Sequence, residues 1–122
     1  MAGRLDLVAG DLFAGAYPVG ADVYILSNII HDWSDQEAVA ILTAVRAAAA
    51  PASKLLLFEF VIPEDAGQFE ASDVDLYMLA LVTGRERTLA EYTQLLAAGG
   101  WDLRRTVPTP SQLILEAIPT RP

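Results

Sequence analysis

Two apolar runs, DVYILSNII (residues 22–30) and KLLLFEFVIP (residues 54–63), enclose a segment with helical periodicity. Ser34 and Glu37 mark the start of that helix as a capping box, in which each side chain satisfies a backbone N–H of the other residue. Apolar residues then recur at the spacing of one helix face, at Ala38, Ile41, Leu42, Val45 and Ala48. A helix between two strands is the repeating unit of a parallel sheet, so the sequence predicts an α/β domain.

The segments on either side extend the same alternation. RLDLVAGDLF (residues 4–13) is typical of a short strand that ends near Gly10 and Asp11. DVDLYMLALVTG (residues 73–84) has helical character but is apolar almost all round, which indicates a helix that is buried or faces a partner.

A second capping box, Thr88 with Glu91, begins another predicted helix, which ends at the glycine pair 99–100. WDLRRTVP (residues 101–108) and SQLILEAIP (residues 111–119) then indicate an antiparallel strand pair. The prediction is therefore one domain over residues 1–122, with a mainly parallel sheet and a terminal antiparallel pair.

Charge and composition exclude several classes of protein. The net charge is −8 and the eight Lys and Arg residues form no cluster, which argues against a nucleic-acid partner. With no cysteine there is no disulfide framework or thiolate metal site, and scattered acids beside one histidine show no metal-ligand spacing. No apolar run reaches ~18 residues and no leader-like segment is evident, so we expect a cytoplasmic protein with no membrane partner.

His31, the only histidine, lies between the second predicted strand and the helix cap at Ser34. In parallel sheets, ligands gather at the carboxyl ends of the strands, and Asp11, His31 and Glu59 all fall near such ends. An imidazole there can act as a general base at neutral pH, best when a carboxylate fixes its tautomer. A histidine at a strand–helix joint can also serve only the local turn, so both interpretations stay open on this residue alone.

Glu59 and Glu86 are the candidate carboxylate partners. Glu59 interrupts LLLFEFVI, where an unpaired buried carboxylate would be costly, so we expect it to meet a partner or to lie at the open end of its strand. Glu86, in GRERT, can equally be a solvated loop charge between two arginines. Asp11 alone would be a turn residue, and Trp33 alone a packing anchor.

The order GDLF, ADVYILSNIIHDWSD, LLLFEFVIPED, DLYMLALVTGRERTLAEY and the closing strand pair resembles the carboxyl-terminal half of a known family. That family is the S-adenosylmethionine-dependent small-molecule O-methyltransferases, which include plant caffeate and flavonoid enzymes and bacterial relatives acting on polyketides and other aromatic natural products. The resemblance covers essentially the whole chain. It implies a Rossmann-like class I methyltransferase fold, with S-adenosylmethionine as cofactor, a hydroxylated small molecule as acceptor and no catalytic metal.

The resemblance also implies roles for individual residues. The histidine of HDW is the family's catalytic base, which assigns that role to His31, and the flanking glutamates assign orienting roles to Glu59 and Glu86. The GDLF segment contacts the adenine end of the cofactor there, which implicates Asp11, Leu12 and Phe13.

The remaining positions concern the cofactor and the acceptor pocket. Ser27 stands where plant members have a cofactor-contacting lysine, so a cofactor contact by Ser27 is expected from the resemblance. Asp75, Met78 and Thr83 fall where the family's helix lines the acceptor pocket.

The resemblance further implies that the amino-terminal dimerisation domain, the first two strands and the glycine-rich loop are missing, so that the fold is partial. We therefore expect a fragment that self-associates, as a homodimer or by strand exchange, and that binds cofactor poorly alone. Two alternatives stay open: a non-catalytic self-associating remnant, and a relative that uses the cofactor for hydroxylation or decarboxylation.

Overall fold

The computed structural model describes residues 8–13, 17–62, 87–110 and 112–121. Its elements, in chain order, are β1 (Val23–Ser27), a single 3-10 turn (Ile30–Asp32), α1 (Asp35–Ala48), β2 (Lys54–Glu59), β3 (Val61–Ile62), β4 (Arg87–Thr88), α2 (Leu89–Ala98), β5 (Trp101–Pro108) and β6 (Leu113–Pro119). The alternation of strand and helix predicted from the sequence is confirmed in this part of the chain.

Both predicted helix starts are present with complete capping boxes. The Ser34 side chain accepts from the N–H of Glu37, and the Glu37 carboxylate accepts from the N–H of Ser34. Thr88 and Glu91 form the same reciprocal pair at the start of α2. The buried face of α1 consists of the residues predicted from periodicity, Ala38, Ile41, Leu42, Val45 and Ala48.

The main sheet has four strands in the order β1-β2-β6-β5. β1 and β2 are parallel, whereas β2–β6 and β5–β6 are antiparallel, so this sheet is mixed. The predicted closing strand pair is confirmed, but the prediction of a mainly parallel sheet is wrong for the described residues. The reason is that β6 adds beside β2, so the closing pair supplies two of the three strand pairings of this sheet.

The predicted strand over residues 54–63 is divided into β2 and β3. β2 pairs with β6 as far as Glu59 and Leu113, where β6 begins, and the chain then changes partner. Val61 and Ile62 pair in parallel with Arg87 and Thr88 in a separate two-stranded sheet. This change of partner puts Glu59 at an end of β2 and brings Arg87 to the same side of the molecule.

Two sequence predictions fall partly or wholly outside the described residues. Residues 8–11 form no strand, and residues 4–7 of the predicted first strand lie outside the described part. The predicted helix at residues 73–84 lies outside it entirely. No helix of the described part is long and apolar enough to cross a membrane.

The core lies on one face of the main sheet, beneath α1 and α2. Tyr24 and Leu26 of β1 turn to this face and are each 6% exposed, whereas Val23 and Ile25 turn to the other and are 46% and 58% exposed. A nearly continuous apolar run such as that of β1 is typical of a strand covered on both faces, whereas the described residues cover β1 on one face. Burial of aliphatic and aromatic surface on the helix side is what fixes β1, β2 and α1 relative to one another.

Candidate active site

His31 lies on the 3-10 turn that follows β1, here called the His31 turn (Ile30–Asp32). The chain leaves β1 through Asn28, whose φ of 57° is in the left-handed region that asparagine tolerates better than most residues. The N–H groups of Asp32 and Trp33 then donate to the carbonyls of Ile29 and Ile30, which closes the turn. The turn therefore lies directly at the carboxyl end of β1, as predicted.

Glu59 meets His31 at that edge. β1 and β2 run in parallel, with Ser27 opposite Phe58, so their carboxyl ends lie side by side. Glu59 Oε1 lies 2.6 Å from His31 Nδ1, and Glu59 Oε2 accepts from the N–H of Ile30 at 3.1 Å. Glu59 has no exposed surface and His31 is 8% exposed. The expectation that Glu59 meets a partner is confirmed.

The contact with Glu59 bears on which nitrogen of the imidazole carries the proton. An ionised carboxylate only accepts hydrogen bonds, so the 2.6 Å contact favours a proton on Nδ1 and leaves Nε2 as the basic nitrogen of the neutral ring. Nε2 lies 3.3 Å from Asp32 Oδ1, in a carboxyl group that is 41% exposed. The Glu59 carboxylate thus contacts Nδ1, and the Asp32 carboxylate lies beside Nε2.

Arg87 is a buried cation that also contacts the His31 turn. It has no exposed surface, and its guanidinium donates to Asp35 Oδ1 at 2.9 Å, the carbonyl of Ile30 at 3.2 Å and the carbonyl of Trp33 at 2.7 Å. Its Cζ lies 5.9 Å from the centre of the Tyr92 ring, which is within the range of a cation–π contact.

Arg87 was not predicted as a site residue, although the sequence contains a signal for it. Arg87 immediately precedes the helix cap Thr88, and Tyr92 is the fourth residue of that helix after the cap. Side chains at these two positions commonly pack together at helix starts, normally as an apolar pair. An arginine there, facing a tyrosine, indicates a packed cation and not a solvated one.

The GDLF segment forms a turn that reaches the same region. Asp11 Oδ1 accepts from the N–H of Phe13 at 2.8 Å, and the Tyr17 hydroxyl donates to the carbonyl of Leu12 at 2.8 Å. The Phe13 and Trp33 rings meet edge to face, with their centres 5.1 Å apart. The segment predicted to hold the cofactor is therefore in contact with the residue that follows the His31 turn. Burial and, to a lesser extent, the Asp11 carboxylate raise the pKa of Tyr17 above its usual 10.0.

The other predicted site residues fall into two groups. Ser27 is the last residue of β1 and is exposed, four residues before His31. The candidates outside the described residues are Glu86, Asp75, Met78 and Thr83. Their predicted roles stay predictions.

Asn28 and Gln112 form a further contact at this edge. The Gln112 side-chain amide donates to Asn28 Oδ1 and joins the β5–β6 connection to the end of β1. Sequence reasoning gave no indication of this pair, because the two residues are far apart in the chain and neither lies in a recognisable motif. Within the described ranges, no group of three or more His, Asp or Glu side chains could hold a metal ion.

Comparison with known proteins places the chain among methyltransferases. A family model described as an O-methyltransferase domain matches residues 1–102. The phenazine O-methyltransferase of Lysobacter antibioticus is 44% identical over 117 residues, which cover 95% of this chain and 34% of that protein. The chain spans about a third of the length of the relatives it matches.

Solved structures agree in fold. The mitomycin 7-O-methyltransferase matches with a TM-score of 0.88 and 34% identity, covering 94% of this chain and 34% of that one. The O-methyltransferase NcsB1 from neocarzinostatin biosynthesis, in complex with S-adenosyl-L-homocysteine and 1,4-dihydroxy-2-naphthoic acid, matches with a TM-score of 0.81 and 38% identity. That match covers 92% of this chain and 33% of the other.

Proposed function

This chain belongs to the O-methyltransferase domain family, and we propose that it carries the acceptor-activating part of an S-adenosyl-L-methionine-dependent O-methyltransferase with a Rossmann-like class I fold. The observation that carries the proposal is the buried contact of His31 with Glu59 at the carboxyl edge of β1 and β2. Burying a carboxylate against an imidazole is costly, so a purely structural role does not account for this pair. Its place at the carboxyl ends of parallel strands, where ligands bind, favours a role in the chemistry.

His31 is the proposed base. A phenolic hydroxyl has a pKa near ~10, so at neutral pH it is a poor nucleophile until its proton is removed as attack develops. His31 Nε2 accepts that proton, while Glu59 holds Nδ1–H and stabilises the imidazolium that results. Asp32, beside Nε2, favours the same protonated ring. Glu86 is proposed as a second orienting carboxylate.

The GDLF turn fits the adenine end of S-adenosyl-L-methionine. The Phe13 ring is 41% exposed although Trp33 supports its position, so it offers an apolar surface to a flat ring. Asp11 is exposed, and its carboxylate can accept from an amino group. Ser27, at the end of β1, is proposed as a further contact. When bound, the cofactor supplies an electrophilic methyl group on a sulfonium centre.

The proposed acceptor is a hydroxyl of a small aromatic or polyketide-type molecule. Similar proteins support this class, since they include a phenazine O-methyltransferase and an O-methyltransferase whose structure was solved in complex with a dihydroxynaphthoic acid. Asp75, Met78 and Thr83 are proposed to line the acceptor pocket. Homodimerisation and a cytoplasmic location are further parts of the proposal, and the chemistry of His31 depends on neither.

Replacing His31 by Gln tests the function directly. In a preparation in which the parent sequence methylates an acceptor, H31Q should lower kcat by at least ~100-fold, because the proposed base is then absent. The affinity for S-adenosyl-L-methionine, measured by calorimetric titration, should change by less than ~three-fold, since His31 has no proposed contact with the cofactor. Turnover within ~three-fold of the parent would remove His31 as the base.

A further inference from the structure

Arg87 holds the main chain on both sides of His31. One nitrogen of its guanidinium donates to the carbonyl of Ile30, the residue before His31, and another donates to the carbonyl of Trp33, two residues after it. Its Nε donates to Asp35, in the first turn of α1. One planar group thus joins the His31 turn to the start of the next helix.

Glu59 is the second buried side chain that binds the His31 turn. Its carboxylate accepts from the N–H of Ile30 and lies against His31 Nδ1. Ile30 therefore has its N–H bound by a buried anion and its carbonyl bound by a buried cation. Both side chains have no exposed surface, so water does not compete for these contacts.

We propose that Arg87 is a positioning residue of the active site, which fixes the direction of the His31 ring by clamping the carbonyls of Ile30 and Trp33. The inference rests on the proposed role of His31 as base. A turn of three residues has few hydrogen bonds of its own, here those from the N–H groups of Asp32 and Trp33 to the carbonyls of Ile29 and Ile30. The guanidinium supplies the missing constraint, because its donors point in fixed directions within one plane.

This role differs from general stabilisation of the fold. If Arg87 only stabilised the protein, a weaker variant would unfold more readily, but its folded molecules would keep His31 in the same tautomer against Glu59. If Arg87 positions His31, folded variant molecules will have a ring that samples more than one orientation. Lysine separates the two cases, since it keeps the charge but replaces a planar fork by a single ammonium group.

The only histidine of the chain makes the measurement direct. In the 122-residue protein labelled with ¹⁵N, long-range ¹H–¹⁵N correlation spectra report the protonation of Nδ1 and Nε2 of His31 alone. The parent should show the Nδ1–H tautomer above the titration midpoint, as the contact with Glu59 requires. Arg87→Lys should give a mixture of tautomers, and exchange of the Nδ1 proton with water at least ~ten-fold faster.

Arg104→Lys is the matched control. Arg104 is 56% exposed and pairs with Asp102 at 3.6 Å on the outer part of β5, so the same substitution there should leave the His31 signals unchanged. Far-UV circular dichroism and the thermal midpoint establish that each variant is folded. Unchanged His31 signals in folded R87K, or equal changes in R104K, would overturn the proposal.

A measurement on the parent decides the matter if R87K does not fold. A clamped guanidinium rotates slowly about its Nε–Cζ bond, so the terminal N–H protons of Arg87 should be resolved and should exchange slowly, unlike those of Arg104. Averaged signals for both arginines would overturn the clamp.

Kinetics connect the clamp to catalysis. Where the parent turns over, R87K should lower kcat by ~ten-fold or more and change KM for the acceptor by less than ~three-fold, because ring orientation matters for proton transfer and not for binding. A loss confined to KM would overturn the positioning role. If H31Q retains turnover while R87K alters the His31 signals, the base assignment fails and the clamp on the turn stands.

Discussion

The two ends of the β1–β2 pair are held by different chemistry. At the amino end, the Tyr24 hydroxyl donates to the carbonyl of Pro18 at 2.5 Å and accepts from the N–H of Ala21 at 3.2 Å. The Ser53 hydroxyl there donates to the carbonyl of Ala21 at 2.5 Å. At the carboxyl end, Glu59 and Arg87 make the corresponding hydrogen bonds, and both are charged and have no exposed surface.

The difference separates what folding needs from what the proposed chemistry needs. Neutral hydroxyls join loops to strands at a small desolvation cost, whereas buried ions are costly unless every polar group around them is paired. Closing a turn with buried charges therefore carries a larger desolvation cost than closing it with hydroxyl groups. The Glu59 carboxylate is nevertheless well suited to orienting an imidazole that gains a proton, because a neutral group stabilises an imidazolium much less.

Replacing Glu59 by Leu should have the largest effect on stability. The substitution leaves the N–H of Ile30 and His31 Nδ1 without their carboxylate, so the free energy of unfolding should fall by about 3–5 kcal/mol. Urea denaturation followed by circular dichroism measures this.

Glu116→Leu is the control for Glu59→Leu. Glu116 lies on β6 and pairs with Arg105, which is 66% exposed, at 3.2 Å. Its loss should cost less than about 1 kcal/mol, since pairs that involve an exposed side chain contribute little. Equal losses of unfolding free energy at the two positions would show that the carboxyl end of the β1–β2 pair does not depend on its buried charge more than an exposed pair does.

Tyr24→Phe should have a smaller effect, at the neutral end. The ring keeps its packing and only the hydroxyl contacts are lost, so the free energy of unfolding should fall by about 1–2 kcal/mol. Thr43→Ala, which removes an exposed hydroxyl contact within α1, serves as the control and should change it by less than about 0.5 kcal/mol. A Tyr24→Phe loss as large as that of Glu59→Leu would erase the distinction between the two ends.

The smallest effect is expected at Tyr17 and depends on pH. Burial raises the pKa of Tyr17, so the folded state favours its neutral hydroxyl. The corresponding stability is present below pH ~10, the value of the unfolded chain, and is lost as the pH rises through the raised pKa. Tyr17→Phe should remove this alkaline loss, which thermal midpoints between pH 8 and ~11 would detect. An identical alkaline profile in Y17F would assign the loss to other groups.

Local patterns predicted the helices better than they predicted the sheet. The starts of α1 and α2 follow from Ser34 with Glu37 and from Thr88 with Glu91, since a capping box is complete within four residues. The strand order was not available in the same way. The sequence of residues 113–119 does not indicate that they pair with β2. That pairing depends on which strand edge of the sheet is free when the sheet forms.

The part of the candidate site that could be predicted is the part in which burying one residue carries an evident free-energy cost. Glu59 in an apolar run required a partner, and His31 is that partner. Arg87 was not predicted because its charged neighbours in the sequence indicate a loop exposed to solvent. Its burial depends on Ile30 and Trp33, which are distant in the sequence. Asn28 and Gln112 meet only through the tertiary fold.

The clamp on the His31 turn grips the main chain, and this has a consequence for substitutions. Glu59 and Arg87 bind the N–H of Ile30 and the carbonyls of Ile30 and Trp33, groups that nearly every amino acid provides. A change of side chain at position 30 or 33 therefore leaves the groups that the clamp binds in place, although Ile30 is buried in the core and Trp33 packs against Phe13. At positions 59 and 87, by contrast, the side chain itself makes the bonds, so a substitution there removes them.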